Sequence, residues 1–188
     1  MKTTNFKTVS LFWIIGLLAI SLNSSSQETK LTRQEMREVR KAELAANFHI
    51  LDSLLNARQF VLEADYLSNQ YGDRIIVTPN LNFIKLDGTN GVLQTGSNFG
   101  FGYNGVGGVT AEGSVGKWKV FKDPKHQNYT LQFSLLTNIG IYDVSMIVSA
   151  DTRAKATITG LGRGKLTWDG RLETIGNSRV FKGRNAIL

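Results

Sequence analysis

The pattern of apolar and polar residues changes once along the chain, from a helical period to a strand period. Residues 30–58 contain neither glycine nor proline, and Thr29 or Thr32 is suited to cap the start of a helix. Residues 30–43 are almost all charged. An apolar stripe with helical spacing follows, made of Leu44, Phe48, Leu51 and Leu55. The pattern predicts an N-terminal helix over 27–58 whose second half packs on a core, while its first half projects into solvent or frays.

After Arg58 the side chains alternate with a period of two, which is typical of half-buried strands. In the run 60–67, Glu63 and Asp65 are predicted to face solvent. The inward face of that run consists of Phe60, Leu62, Ala64 and Tyr66. Further strand-like runs lie at 81–86, 92–95, 109–115, 117–121, 129–136, 142–148, 155–159 and 165–168.

Turn-forming sequences separate these runs, at 86–91, 122–128 and 160–164. Many short strands with turns between them predict an antiparallel β-meander that forms a sandwich or a flattened barrel. We therefore expect a mainly β fold with one N-terminal α-helix. The antiparallel β domain should span 59–175. Residues 176–188 are basic and lack a period, so we expect a C-terminal tail that is either an edge strand or a mobile end.

The first 26 residues have the features of a signal peptide. Two lysines precede an apolar run over 11–20, which is too short to span a bilayer comfortably. Ser24 and Ser26 occupy the small-residue positions that signal peptidase prefers, so we expect cleavage before Gln27. The mature protein would be exported, either periplasmic or secreted, with no transmembrane segment after cleavage.

The cysteine content and the net charge limit the covalent attachments and the binding partners that the chain can have. The 188-residue chain has no cysteine, so it offers neither a disulfide nor a site for a lipid anchor, and we expect that it is not a lipoprotein. The formal net charge is +7, which would favour nucleic acid in a cytosolic protein. Export argues against that partner. The charge is then a solvated surface, or it attracts an anionic glycan, lipopolysaccharide or a membrane headgroup.

The sequence GFGYNG, over residues 100–105, matches the dinucleotide motif G-x-G-x-x-G. In such sites the motif joins a strand to a helix whose N-terminus binds the pyrophosphate. Residues 106–120 contain four glycines and cannot supply that helix. Residues 160–165, GLGRGK, also lack the first glycine and the final serine or threonine of a P-loop. We predict a glycine-rich β segment, a hairpin turn and no cofactor.

Neither the histidines nor the carboxylates form a recognisable catalytic pattern. His49 lies beside the apolar stripe and His126 lies in a polar loop, which gives neither a zinc pattern nor an oriented base. Glu63 and Asp65 share one strand face, but that face is the solvent side expected to be charged. We therefore expect no catalytic residues and no metal, in a protein that is not an enzyme.

Aromatic side chains are the remaining candidates for a binding site. They stack on sugars or line apolar cavities, and they also pack in cores, which is the alternative interpretation here. Three of them alternate within the glycine-rich stretch and would point to one side of an extended strand. The ligand-binding candidates are Phe99, Phe101, Tyr103, Trp118 and Trp168.

The order of these segments resembles a known family. FVLEADYL is followed by LNFIKLDGTNGVLQTG and GFGYNGVGGVTAEGSV, and then by YTLQFSL, VSMIVSADTRAKATITG and KLTWDGRL. This order is similar to that of exported bacterial proteins, mainly from Bacteroidota, grouped as domain of unknown function forty-two fifty-one. The resemblance covers about Phe60 to Leu172. It implies a compact β domain in the cell envelope and carries no assigned activity. Members are often lipoproteins, whereas this chain lacks the cysteine, and its turn DGTNG is longer than the usual G-D.

Two functional hypotheses from different classes follow. The first is a non-enzymatic cell-envelope protein that binds a small apolar or glycan ligand in its β domain. The second is a structural or protein-interaction module with a closed core and no small ligand, whose partner would be an envelope protein. A cavity lined by the candidate aromatics would favour the first hypothesis. A close-packed interior with an exposed apolar patch would favour the second.

Overall fold

The computed structural model describes residues 32–97, 104–161 and 164–185. The chain divides into two units, residues 1–38 and residues 39–188. The described part of the first unit begins helix α1 (Arg33–Ala57). Thr32 and Glu35 form a capping box there: the Thr32 N–H donates to Glu35 Oε2 at 2.7 Å, and the Thr32 hydroxyl accepts from the Glu35 N–H at 3.3 Å. Thr32 is thus the cap. No helix in the described ranges is both long and apolar enough to cross a membrane.

The described residues of the second unit contain nine antiparallel strands. They are β1 (Gln59–Ser68), β2 (Arg74–Ile76), β3 (Phe83–Asp87), β4 (Asn90–Thr95), β5 (Val109–Asp123), β6 (Asn128–Thr137), β7 (Gly140–Ser149), β8 (Arg153–Leu161) and β9 (Gly164–Glu173). Because β1 pairs with both β3 and β9, eight strands close into a barrel, and β2 adds to the end of β1. The predicted antiparallel, mainly β fold with one helix is confirmed. Of the two closures that the pattern allowed, the barrel is the one that forms.

The barrel interior is filled by the alternating apolar side chains of the strands. Phe60 and Leu62 of β1 are completely buried, and the inward residues of β7 alternate with exposed ones. The helix adds Phe48, Leu51 and Leu55 to the same buried cluster. The predicted apolar stripe of the helix therefore contributes to the core, at the end of the barrel where α1 leads into β1.

The predicted inward position of Tyr66 is wrong. The pairing of β1 with β9 shifts between Ala64 and Tyr66, so that Asp65 is an extra residue in β1. Beyond this β-bulge the alternation changes phase: Leu67 is buried, while Tyr66 is exposed on the outer face. A strict period of two assumes an unbroken ladder, and one inserted residue exchanges the two faces of the strand.

Residues 174–185, which include the described part of the predicted tail 176–188, contain no strand. They run across the outer face of β1, β3 and β4, and we call them the C-terminal strap. Ile175 and Val180 of the strap pack on a second buried cluster, formed by Val61, Phe83 and Val92. The strap is also held by hydrogen bonds, from Ser178 Oγ to Glu63 Oε1 (2.6 Å), from Phe181 N to Asn80 O (2.9 Å) and from Arg184 N to Asn104 O (2.9 Å).

A polar clamp holds α1 against the barrel. The Tyr129 hydroxyl donates to Asp52 Oδ1 at 2.8 Å, and Lys122 Nζ lies 3.0 Å from the same oxygen. The rings of Tyr129 and Phe48 are 4.7 Å apart, with the Lys122 ammonium over both. The hydrogen bond from Lys122, followed by that from Tyr129, lowers the pKa of the Asp52 carboxyl below its ordinary value.

Asp52→Asn is expected to weaken this clamp in a pH-dependent way. A carboxyl whose folded pKa lies below its unfolded pKa stabilises the fold above the unfolded value, which is about 4 for aspartate. This contribution disappears as the pH falls through the folded pKa. Thermal unfolding across the acid range should therefore show the variant below the wild type near neutrality and equal to it at low pH. Glu43→Gln, on the same helix and exposed, is the control. A difference that does not change with pH would contradict the assignment.

Candidate functional site

The five predicted aromatic site residues divide into two sets. Phe99, Phe101 and Tyr103 lie outside the described residues. The structure places Trp118 on β5 and Trp168 on β9, both within the main buried cluster, with Trp118 partly and Trp168 completely buried. The described part of the predicted site therefore lies in the barrel wall and interior.

Trp118 points inward because of a bulge in β5. Where β5 pairs with β6, Lys117 and Trp118 share one step of the ladder, and Lys117 has a φ of 50°. The indole ring packs against Phe133 and Phe60, at centroid distances of 5.5 and 6.4 Å. The Arg58 guanidinium lies 5.2 Å from the centre of the same ring. The bulge also keeps Lys117 on the outer side of the barrel.

Trp168 packs between the neighbouring strands β8 and β1, in register with Ala156 and Leu67. Within the described residues, its Nε1 is a buried side-chain polar atom without a hydrogen-bond partner. Its surroundings are apolar, and a ligand from solvent would reach it only if the barrel opened. Trp168 thus has the contacts of a core residue.

A candidate site with many polar groups lies on the outside of the barrel. A groove of about 480 Å³ crosses β5, β6, β7 and β8, and we call it the outer groove. Trp118, Phe133 and Val144, which belong to the interior, border it from below. Its outward-facing lining consists of Lys117, Lys119, Gln132, Ser134, Asp143, Ser145, Thr157 and Thr159.

The strand register arranges the floor of the outer groove in two rows. In one row Ser134, Asp143 and Thr159 stand side by side on β6, β7 and β8. The other row, two positions along each strand, contains Lys119, Gln132, Ser145 and Thr157. The Ser134 hydroxyl donates to Asp143 Oδ1 at 2.6 Å, which fixes the carboxylate against the floor. The floor of the outer groove is thus an array of hydroxyl, amide and carboxylate groups whose spacing is set by the strand register.

Apolar side chains frame these two rows on both sides. Leu136 and Ile141 form a cross-strand pair just beyond the first row. Phe121 and Ile147 flank Thr130 just beyond the second row. All four apolar side chains are exposed by about half of their surface. The outer groove therefore offers polar contacts along its floor and apolar contacts at its edges.

Asp143 is the one carboxylate in the described lining of this groove. General acid–base hydrolysis of a glycosidic bond uses two carboxyl groups on opposite sides of the bond. Elsewhere, His126 Nδ1 lies 2.7 Å from Asp123 Oδ2 in the exposed β5–β6 turn, and this bond lowers the pKa of Asp123. No group of three potential metal ligands occurs within the described ranges.

The sequence analysis did not predict a buried polar network around Asn104. Asn104 donates from Nδ2 to Thr110 Oγ1 (3.1 Å) and Thr95 O (3.0 Å), and its Oδ1 accepts from Val106 N and Gly108 N, each at 3.0 Å. This one side chain thereby organises the turn after the glycine-rich stretch. The Asn-Gly pair at 104–105 was the available signal, since that dipeptide marks turns.

The network continues through Gln94 to the C-terminal strap. Thr110 Oγ1 donates to Gln94 Oε1 at 2.7 Å, and Gln94 Nε2 donates to Leu81 O and Phe181 O, at 3.1 and 2.8 Å. Gly183 N donates to Gln94 Oε1 at 2.8 Å. Buried polar groups must be hydrogen-bonded, and each of these is.

The described end of GFGYNG, Asn104 and Gly105, lies in a turn that leads into β5, and the rest of the predicted β segment lies outside the described residues. Gly105 and Gly107 have φ values of 76° and 74°, the left-handed region that glycine adopts without strain. Residues 104–108 then turn into β5. Because no helix follows, the stretch has no helix N-terminus on which a pyrophosphate could rest.

Comparison with known proteins places the chain in a family. The family model "Domain of unknown function (DUF4251)" matches residues 42–172, which include the apolar half of α1 and the barrel. Among solved structures, the chain is similar to a DUF4251 family protein from Bacteroides eggerthii DSM 20697, with 31% identity and a TM-score of 0.61 over 76% of this chain and 97% of that chain. No curated protein matches it. The resemblance drawn from the sequence is confirmed, and the chain belongs to the DUF4251 family, whose function is unknown.

Proposed function

We propose that this chain is a non-enzymatic, exported binding protein that holds a glycan in the outer groove. The observation that supports this most directly is the pair of polar rows framed by apolar side chains. A sugar ring has hydroxyl groups along its edge and an apolar face, and the groove offers a matching arrangement. Serine and threonine hydroxyls both donate and accept, as sugar hydroxyls do.

The individual groups have separate roles in this proposal. Gln132 and Ser145, which are exposed, and Thr157, which is half-buried, form the row that would bond the hydroxyls of a sugar unit. Asp143, fixed by Ser134, would accept from a further hydroxyl. Phe121, the exposed aromatic at the edge, would cover an apolar sugar face.

An apolar ligand inside the barrel is a weaker proposal than a glycan in the outer groove. Trp168 is completely buried, and Trp118 packs against two phenylalanines, so both candidate tryptophans already have partners in the core. The non-enzymatic role is supported by the single carboxylate in the groove lining. Export rests on residues 1–26, outside the described ranges, and is tested by mass determination of the mature N-terminus, which should be Gln27.

A glycan array of bacterial envelope and host glycans, followed by calorimetric titration of each hit, tests the proposal. The double variant Gln132→Ala, Thr157→Val should lose about thirtyfold in affinity, because it removes two hydrogen bonds that each contribute about 1 kcal/mol net. Thr167→Val is the matched control. Thr167 faces Thr157 across the β8–β9 pair but lies outside the groove lining. Binding that survives in the double variant, or is lost equally in the control, would rule out the outer groove.

The second candidate function is a protein-interaction module, and the exposed apolar pairs at the groove edges favour it. If no glycan binds, Leu136→Ser with Ile141→Thr should instead abolish association with a protein partner. A wild-type chain that stays monomeric and recruits no envelope protein would argue against this alternative.

A further inference from the structure

A second groove on the barrel carries an excess of positive charge. It measures about 500 Å³ and crosses the outer face of β1, β9, β8 and β7, away from the lining of the outer groove. Two acidic side chains, Asp65 and Asp169, belong to its lining. The cationic side chains of the lining are Arg74, Arg153, Lys155 and Arg171. The four cations and two acids of the lining leave a net charge of +2, and two further acids border it, Asp151 paired with Arg153 and Glu63 opposite Arg171.

The arginines at the centre face each other directly. Arg153 on β8 and Arg171 on β9 are cross-strand partners in the register of the barrel. Like charges directly opposite each other on one face of a sheet destabilise the pair. A sequence selected for stability alone has no reason to place two arginines there.

Of the two arginines, Arg153 is paired with a nearby acidic group and Arg171 is not, among the described residues. Asp169 is shared between Arg74 and Lys155, each with an N–O distance of 3.7 Å. Asp151 binds the Arg153 side chain at 2.6 Å, from outside the groove lining. Arg171 has no ion-pair partner among the described residues.

The acid that faces Arg171 from β1 is engaged by the strap. Glu63 and Arg171 are cross-strand partners. Glu63 Oε1, however, accepts from Ser178 Oγ at 2.6 Å and from Arg179 N at 3.3 Å. Arg171 is thus exposed, without an ion-pair partner among the described residues, and lies opposite Arg153 in the β8–β9 register.

We propose that this groove binds a phosphate group, with Arg153 and Arg171 as its principal ligands and Lys155 as the third. Guanidinium groups bond phosphate oxygens in pairs, and a tetrahedral phosphate has enough oxygens to bridge two arginines and a lysine at once. A bound anion also turns the repulsion between the two arginines into attraction. The phosphate is either free or carried by a lipid headgroup. This inference goes beyond the proposed glycan binding, because it concerns a different groove whose polar and charged lining residues are all different.

The test is titration of the full chain with inorganic phosphate at low ionic strength, against sodium chloride at matched ionic strength. Amide chemical shifts around Arg153 and Arg171 and the unfolding midpoint are the readouts. Phosphate at about 10 mM should raise the wild-type midpoint, and Arg171→Gln or Arg153→Gln should weaken phosphate binding by about tenfold. Lys165→Gln removes one charge from the exposed face of β9 outside the groove, and it should bind phosphate as the wild type does.

The stability of the unliganded variants separates a binding role from a structural one. Removing one of two opposed like charges should leave the midpoint of Arg171→Gln without phosphate equal to or above that of the wild type. Co-sedimentation with phosphatidic acid vesicles, compared with phosphatidylcholine vesicles, distinguishes the sources. Binding to both free phosphate and phosphatidic acid indicates a headgroup, and binding to free phosphate alone indicates a soluble ligand. The absence of any phosphate-specific shift in the wild type, or a shift in Arg171→Gln and Arg153→Gln that equals that of the wild type, would overturn the proposal.

Discussion

Trp168→Ala is expected to destabilise the barrel by about 3–5 kcal/mol, which is the range for truncating a fully buried tryptophan. Trp168 is the largest of the completely buried side chains and contacts strands on both sides of β9. Its removal would leave a cavity where β8, β9 and β1 meet, next to the seam at which β9 closes the barrel on β1. Urea unfolding followed by circular dichroism measures this loss.

Trp168→Phe is the informative companion variant. The Trp168 Nε1 atom has no hydrogen-bond partner among the described residues, so phenylalanine gives up volume but no polar contact. Its cost should be well below that of the alanine variant. Added indole should restore part of the lost stability of Trp168→Ala, since apolar cavities of this kind bind aromatic molecules. A small effect of the alanine variant would mean that the interior already holds open space, and would revive the hypothesis of an apolar ligand inside the barrel.

Asn104→Ala should cost about 3 kcal/mol, because it leaves several buried polar groups without partners at about 1–3 kcal/mol each. The Asn104 side chain bonds Thr95, Val106, Gly108 and Thr110. It therefore ties the turn before β5 to the network that includes Gln94. Alanine removes every one of these bonds.

The matched control for this variant is Asn177→Ala, at an exposed asparagine of the strap with no side-chain hydrogen bond. That control should stay within about 0.5 kcal/mol of the wild type. Hydrogen exchange gives a local readout, because the amides of Val106 and Gly108 lose their acceptor in Asn104→Ala alone. If these amides stay as protected as in the wild type, the turn does not depend on Asn104.

The alternation of apolar and polar residues was sufficient to predict the strands of the barrel, but not the bulges that interrupt them. The alternation of apolar and polar residues predicted eight of the nine strands in the described ranges, because the inward face of each strand of the barrel is apolar. It did not detect β2, whose three residues are all exposed. It also assigned Tyr66 wrongly to the core. It predicted two strands where the structure has one, β5, with a bulge beside Trp118. A bulge depends on the partner strand, which the pattern of a single strand does not contain.

The candidate site was harder to predict for the same reason. The outer groove is built from polar residues that come from four strands. Gln132, Ser145 and Thr157 are ordinary solvent-facing residues in their own segments and become neighbours only through register. The aromatic candidates were chosen by residue type, and both tryptophans that the structure describes have core contacts. The packing of the strap was not predicted, because the apolar outward residues that it covers, Val61 and Phe83, break the period of two on which the strand predictions depend.

The pairing of β1 with β9 has a consequence for how the chain reaches this structure. Val61 pairs with Glu173, and Glu63 bonds Ser178, so the first strand completes its contacts only with segments more than a hundred positions away. Contacts that are distant in sequence slow folding, because a long loop must be closed before they can form. Until β9 arrives, β1 presents an unpaired edge and an uncovered apolar outer face, both of which invite association with other chains. The protein should therefore fold slowly, and the period before the barrel closes is when it is most prone to aggregate.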